Sequence, residues 1–260
     1  MAEIVIVETP DEAGELVAGH IVGLVKSQPS MVLGVATGST PLPVYQALHR
    51  HAQAGTDFTQ MRAFALDEYV GIPVDHPESY HSVIHREVTV PLGLDPANVH
   101  VPDGNPEEIQ TAGVRYEEAI NAAGGVEVQL LGIGTTGHLG FNEPGSSFGS
   151  RTRIKSLTHQ TRMDNARFFD SIDDVPVHCI TQGLGTIMRA RHLVLLAFGE
   201  GKAQAIAAAV EGPMSASMPG SMIQLHRHVT VVVDRAAASQ LVHRDYYEWS
   251  FNSKPDWQGL

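Results

Sequence analysis

The stretch GIGTTGHLGFNEPG, residues 132–145, sets three glycines beside a histidine, an asparagine and a glutamate. Gly132, Gly134 and Gly137 have the G-x-G-x-x-G spacing of a dinucleotide-binding turn. The context opposes that reading. Gly140 and Pro144 disfavour a long first helix, and about twenty residues on, TRIKSLTH offers no acid for a ribose. What remains is a tight turn at a strand end that presents His138, Asn142 and Glu143. Histidine exchanges protons near neutral pH, and reactive side chains collect on such loops.

Other stretches offer complementary chemistry. ALDEYVG carries Asp67 and Glu68 at the end of an apolar run. A carboxylate there serves as a general base, a metal ligand or a helix-start residue, and the residues alone do not choose. ATGSTP, residues 36–41, leaves an apolar run and enters a helical pattern. Its Gly38 allows close backbone approach, Ser39 and Thr40 add hydroxyls, and helix N-termini favour anions. GEGKAQ places Lys202 at a similar turn. The segment from Ser150 to Phe169 is locally basic, with Arg151, Arg153, Lys155, Arg162 and Arg167. It reads as a solvated face or as phosphate-recognising, for which arginine has the fork geometry. His81 and His85 stand four apart without an evident third ligand, so surface or packing roles are expected.

These residues need a scaffold, and the pattern supplies one. EIVIVE precedes DEAGELVAGHIVGLVKS, whose Leu16, Val17, Ile21, Leu24 and Val25 recur at helical spacing. MVLGVAT, RAFALDE, VEVQLLGIG, HLVLLAFG and HVTVVVD are further apolar runs, most followed by helical patterns. The alternation predicts an α/β fold: a mainly parallel sheet with helices on both faces, a Rossmann-like three-layer sandwich. Ligands on such sheets sit at the carboxyl ends of the strands, which gathers the loops starting at Thr37, Asp67, Gly132 and Gly199. One domain spanning 1–260 is expected, with an extended C-terminal segment, 243–260.

The chain has 260 residues, 43% apolar and 18% charged, which fits an ordinary globular protein rather than a disordered one. A formal net charge of −12 argues against nucleic acid as a partner. It also means that an anionic substrate needs a local cradle of donors to overcome the global field. Neither a signal peptide nor a membrane-length apolar run is visible, so no membrane partner is expected. The single cysteine, Cys179, suits a reducing cytoplasm and reads as a small buried apolar residue.

The motifs ATGSTP, LDEYVG, HPESYHS, GIGxxGHLGFNEPGSS, SRTRIKSLTHQTR, NARFF, GKAQAIAAAVEG and QLH occur in the order found in glucosamine-6-phosphate deaminases, and the chain resembles that family over roughly residues 30 to 235. GHLGFNEP is the most specific element. The resemblance implies isomerising deamination of glucosamine 6-phosphate to fructose 6-phosphate and ammonium, with no cofactor and no metal. It implies that Asp67 moves a proton between C2 and C1, that His138 opens the sugar ring and that Glu143 is its charged neighbour. Thr37, Gly38, Ser39 and Thr40 would form the phosphate loop, with Arg167 and Lys202 as clamps. Ser146, Ser147, Arg153 and Lys155 match an allosteric anion site of regulated members. The expected partner is a phosphorylated amino sugar; homo-oligomeric assembly is left open.

One departure stands out. Many members carry Asp two residues before the histidine, where this chain has Thr136. A threonine hydroxyl can fix the ring's tautomer but adds no negative charge. Three alternatives stay open beside the deaminase: a related 6-phosphogluconolactonase-like hydrolase, a non-catalytic sugar-phosphate-sensing domain, and a deaminase for another amino-sugar phosphate such as galactosamine 6-phosphate. FNEP counts against the first, and the acidic charge against a DNA-binding form of the second.

Overall fold

Five runs with little or no charge, VLGV, RAFA, VQLL, HLVLLA and VTVVVD, become neighbouring strands because each can be buried on both faces. The computed structural model describes residues 2–255 and 257–260. Its strands are β1 (Glu3–Val7), β2 (Val32–Val35), β3 (Arg62–Ala65), β4 (Asp67–Tyr69), β5 (Val99–His100), β6 (Val128–Leu131), β7 (Arg153–Ser156), β8 (His178–Thr181), β9 (His192–Ala197) and β10 (Val229–Asp234). The helices are α1 (Pro10–Ser27), α2 (Leu42–Gln53), α3 (Tyr80–Ile84), α4 (Val90–Leu92), α5 (Ile109–Ala122), α6 (His159–Asn165), α7 (Leu184–Ile187), α8 (Ala203–Val210) and α9 (Arg244–Asn252).

Seven strands form a parallel sheet in the order β1-β10-β9-β6-β2-β3-β5. Side chains alternate between two cores, as strand geometry requires. Leu193 and Leu195 join Tyr116, Ile120 and Ile206 on the face of α5 and α8. Val194 and Leu196 join Val17, Ile21, Val44 and Leu48 on the face of α1 and α2. The strand order reverses between β2 and β6, so the loops leaving these strands open a crevice at the carboxyl edge.

A second sheet, antiparallel and ordered β4-β8-β7, differs from the expectation. Asp67 does not end a strand of the central sheet. The chain passes from β3 through Leu66 and begins a new strand at Asp67, with Asp67 opposite Thr181. Leu66 belongs to both layers: its N–H donates to Val35 O and its carbonyl accepts from Gln182 N. The basic segment read as a solvated or anion-binding stretch contains β7, whose Arg153 also lies opposite Thr181.

At the opposite, amino edge, His192 opens β9. Its ring stacks on His228 at 3.6 Å, and its nitrogens lie 3.2 Å from His20 Nε2 and 2.9 Å from Thr230 Oγ1. Burial, then the neighbouring His228 and His20, push His192 down to about 3. α9 lies against β1, and Lys254 pairs with Glu3 at 2.6 Å. Among the described residues, no helix is long and apolar enough to cross a membrane.

Candidate active site

The crevice at the carboxyl edge is a cavity of roughly 390 Å³. The loop after β2 gives it Thr37, Gly38, Ser39 and Thr40; β4 gives Asp67; the loop after β6 gives Gly134 and His138; the turn after β9 gives Lys202; and the segment after α6 gives Arg167. Residues scattered over more than 160 positions therefore face one space. Three of the four loops named from sequence line it directly, and the Gly199 loop contributes Lys202.

The glycines of the opening motif serve the histidine. Gly137 N–H donates to Gly134 O at 2.9 Å, and Gly134 N–H donates to His138 O at 3.0 Å, closing a tight turn. Gly137 takes φ +80°, in the left-handed region. The His138 ring lies directly over Gly134, where a Cβ would come within 2.1 Å of it. No helix follows β6 here, in keeping with rejection of the dinucleotide turn.

Thr136 takes part in a relay. Its hydroxyl donates to Glu143 Oε2 at 3.2 Å and lies 2.9 Å from His138 Nδ1. A carboxylate only accepts, so the single hydroxyl hydrogen goes to Glu143, and the hydroxyl oxygen then accepts from Nδ1–H. This tautomer, assigned from the network, leaves Nε2 with a free lone pair. Glu143 Oε2 itself lies 3.4 Å from His138 Nδ1. Burial opposes charge on Glu143, but hydrogen bonds from His138 and Thr161 outweigh it and hold the carboxyl at about 2. Thr136 itself brings no charge, and the carboxylate nearest the ring is Glu143.

Asp67 and Glu68 point to opposite faces, as neighbours in a strand must. Asp67 lines the cavity and is 6% exposed. Burial, reinforced by the Glu68 charge, pushes it up to about 8, with the Thr181 hydroxyl, 3.5 Å away, opposing weakly. Glu68 points away and accepts from the N–H groups of Tyr69, Tyr80 and His81 at 2.8, 3.0 and 3.0 Å. It anchors the start of α3, where Ser79 is the N-cap. Tyr80, so placed, lines the cavity with Tyr69, Phe141 and Phe169.

The end of the cavity expected to take the anion combines three elements. Gly38, at φ +90°, turns the loop after β2 toward the N-terminal end of α2. Lys202 Nζ donates to Ile133 O at 2.8 Å, and burial lowers its pKa while Asp164 opposes this. The Arg167 guanidinium lies 4.7 Å over the Phe168 ring.

Other named residues fall elsewhere. Ser146 is buried with its hydroxyl unpaired, and Ser147 is exposed. Arg153 donates to Asn142 Oδ1 at 2.8 Å, and Lys155 lies two residues on along β7. None of the four lines the cavity. His81 and His85 are exposed, and Cys179 is buried. Asn142, grouped with the reactive side chains from sequence, instead ties its loop to Leu139 O and Gln182 O at 2.9 and 2.8 Å. Thr158 and Thr161 sat within SRTRIKSLTHQTR and Thr181 outside any motif, but none was singled out, since a threonine's partner depends on tertiary contacts. Tyr80 sat within HPESYHS, whose Ser79 marked a helix start without showing what followed it into the cavity.

Residues 7–232 match the family model described as glucosamine-6-phosphate isomerases/6-phosphogluconolactonase. A glucosamine-6-phosphate deaminase of Rhodococcus opacus is 60% identical over 259 residues, covering 99% of this chain and 100% of the relative. One from Bifidobacterium longum is 57% identical over 270 residues, covering 100% of each. Among solved structures, a monomeric glucosamine-6-phosphate deaminase superposes with a TM-score of 0.89 at 39% identity, covering 92% of this chain and 99% of that one. The 6-phosphogluconolactonase of Trypanosoma cruzi superposes at 0.76 with 19% identity, covering 93% and 97%, a likeness of fold alone.

Proposed function

Since the chain belongs to the family of glucosamine-6-phosphate isomerases and 6-phosphogluconolactonases, we infer that it is an enzyme that deaminates glucosamine 6-phosphate, giving fructose 6-phosphate and ammonium. The observation that carries the reading within this family is the pairing of Asp67 with His138 across one cavity. Moving a proton from C2 to C1 needs a carboxylate at the reacting carbons. Opening the ring needs a group that takes one proton and gives another.

Placement around the cavity supports the following roles. The phosphate sits against the Thr37–Thr40 loop, with Lys202 and Arg167 as its cations. Held there, the substrate spends remote binding energy on orientation of its reacting carbons. His138, with Nδ1–H engaged by Thr136, offers Nε2 to the ring oxygens. Asp67 then takes the C2 proton and returns one to C1. Its burial supports this role: a base raised to about 8 matches carbon acids far better than an ordinary aspartate does. Ser146, Ser147, Arg153 and Lys155 are proposed to receive a second anion away from this cavity. N-acetylglucosamine 6-phosphate is then expected to lower the apparent KM, and kinetics unchanged by it would dispose of that site.

The deciding experiment incubates purified protein with glucosamine 6-phosphate, galactosamine 6-phosphate or glucosamine, and assays ammonia and the ketose phosphate. Turnover of glucosamine 6-phosphate that persists in EDTA, with glucosamine a very poor substrate, is expected. Equal turnover of glucosamine, or none of the phosphorylated sugars, would refute the reading.

A further inference from the structure

Glu143 points its two oxygens in different directions. Oε2 meets Thr136 and His138, whereas Oε1 meets α6. There Oε1 accepts a short hydrogen bond from Thr161 Oγ1 and a longer one, 3.4 Å, from Thr158 Oγ1. Thr158 caps the helix by accepting from Thr161 N–H at 3.1 Å, and its hydroxyl lies 3.0 Å from that of Thr161. Thr161 is 4% exposed and also lines the cavity.

The same helix runs directly into the turn at Ala166–Phe168 that carries Arg167. At its end, Asn165 Nδ2 donates to the Tyr69 hydroxyl at 2.9 Å. One short element therefore touches the histidine's charge partner at its first turn and leads into a cation of the anion end. The terminal torsion of a glutamate is broad, so its own rotamer does not fix the carboxylate plane. Donors on both oxygens do. Without Thr161, the buried Oε1 keeps only the 3.4 Å contact, and the carboxylate gains freedom to turn Oε2 away from the relay.

We propose that Thr161 is a positioning residue that couples phosphate recognition at Arg167 to the orientation of Glu143, and through Glu143 to His138. The proposal rests on the deaminase reaction inferred above. It gives the phosphate handle a task beyond holding the substrate. An anion that draws Arg167 into place also steadies α6, and α6 sets the carboxylate that orients the ring-opening histidine.

The test is a double-mutant cycle on the full chain, with the parent's ammonia release from glucosamine 6-phosphate measured first. A parent that releases none refutes the reaction, not the coupling. With an active parent, Thr161→Val is expected to lower kcat about tenfold, the scale of one lost hydrogen bond to a charged group. KM should stay within about twofold, because the anion donors are untouched. Thr161→Ser keeps the hydroxyl and should return kcat to within about twofold of the parent. Arg167→Met is expected to raise KM and also to lower kcat. In the double variant Thr161→Val/Arg167→Met, kcat should fall by clearly less than the product of the two single losses, the signature of a shared path. Multiplicative losses overturn the proposal, as does parental kcat in Thr161→Val or equal damage from Val and Ser. The Ser variant keeps the test decisive if Val impairs folding, because a role in helix packing alone gives no special place to the hydroxyl's effect on kcat.

Discussion

Replacing Asp67 with asparagine should make the protein more stable and all but inactive. The carboxyl is 6% exposed and raised from 3.8 to about 8, mainly by burial. A carboxyl raised on folding leaves stability intact below its unfolded value and erodes it as pH rises toward the folded value. The erosion is about 1.4 kcal/mol per pH unit between 3.8 and about 8. At pH 7 the parent therefore gives up at most about 4 kcal/mol, and relaxation around the site brings this nearer 2. Asparagine keeps the shape and carries no titrating proton, so Asp67→Asn escapes the cost. For a chain of this size the gain amounts to roughly 4–8 °C in Tm. Scanning calorimetry of both proteins at pH 4, 5, 7 and 9 measures it. The gap should be near zero at pH 4, grow through pH 7 and level off above about 8. Turnover should fall at least about a hundredfold, the scale of a positioned base, while inhibition by inorganic phosphate survives. A gap that stays constant with pH, or an asparagine variant less stable at pH 7, would show that burial does not set this carboxyl's charge.

Three further outcomes are expected. Thr136→Val removes the hydroxyl between His138 Nδ1 and Glu143 and should cut kcat/KM about tenfold with inorganic phosphate inhibition unchanged; parental kinetics would place the relay outside catalysis. Gly134→Ala drives a methyl into the space of the His138 ring and should cost about a hundredfold in kcat, the scale of a misplaced reacting group; a fully active variant would show that the ring's seat is not critical. His20, His192 and His228 are all lowered by burial, so the folded protein binds fewer protons than the unfolded chain below about pH 6.5. The stability these histidines contribute should therefore be intact above that pH and be lost as it falls toward 3, so His192→Asn should lose less than the parent over that range; equal losses in the two proteins would contradict this.

The central sheet was readable because most of its strands are apolar for a physical reason. β9 and β10 are covered on both faces, so HLVLLA and VTVVVD run almost without polar interruption. The turn after β2 was readable because a glycine, hydroxyls and a proline met between a strand and a helix. The small sheet was not. DEY, RIKS and HCIT are three- and four-residue strands with charged or polar residues among the apolar ones, so none reads as an apolar run. Alternation did separate Asp67 from Glu68, but nothing local showed that Glu68 would serve the start of a helix twelve residues on. The relay through Thr136 was legible as a substitution in a motif. Its completion by Thr161, twenty-five residues later, was not, because a hydroxyl's partner is decided by which helix folds over it.

Leu66, stitched to Val35 on one side and Gln182 on the other, is a tie between the two sheets. A second tie stands at the outer edge, where Thr152, just before β7, donates its N–H and its hydroxyl to Glu117 of α5. The smaller sheet is clamped at both ends, with Asp67 next to one clamp and Arg153 next to the other. A load on the face of that sheet is carried by both ends and bends it most in the middle, at β8. Mechanically, the buried carboxyl of Asp67 stands beside a fixed end rather than at mid-span.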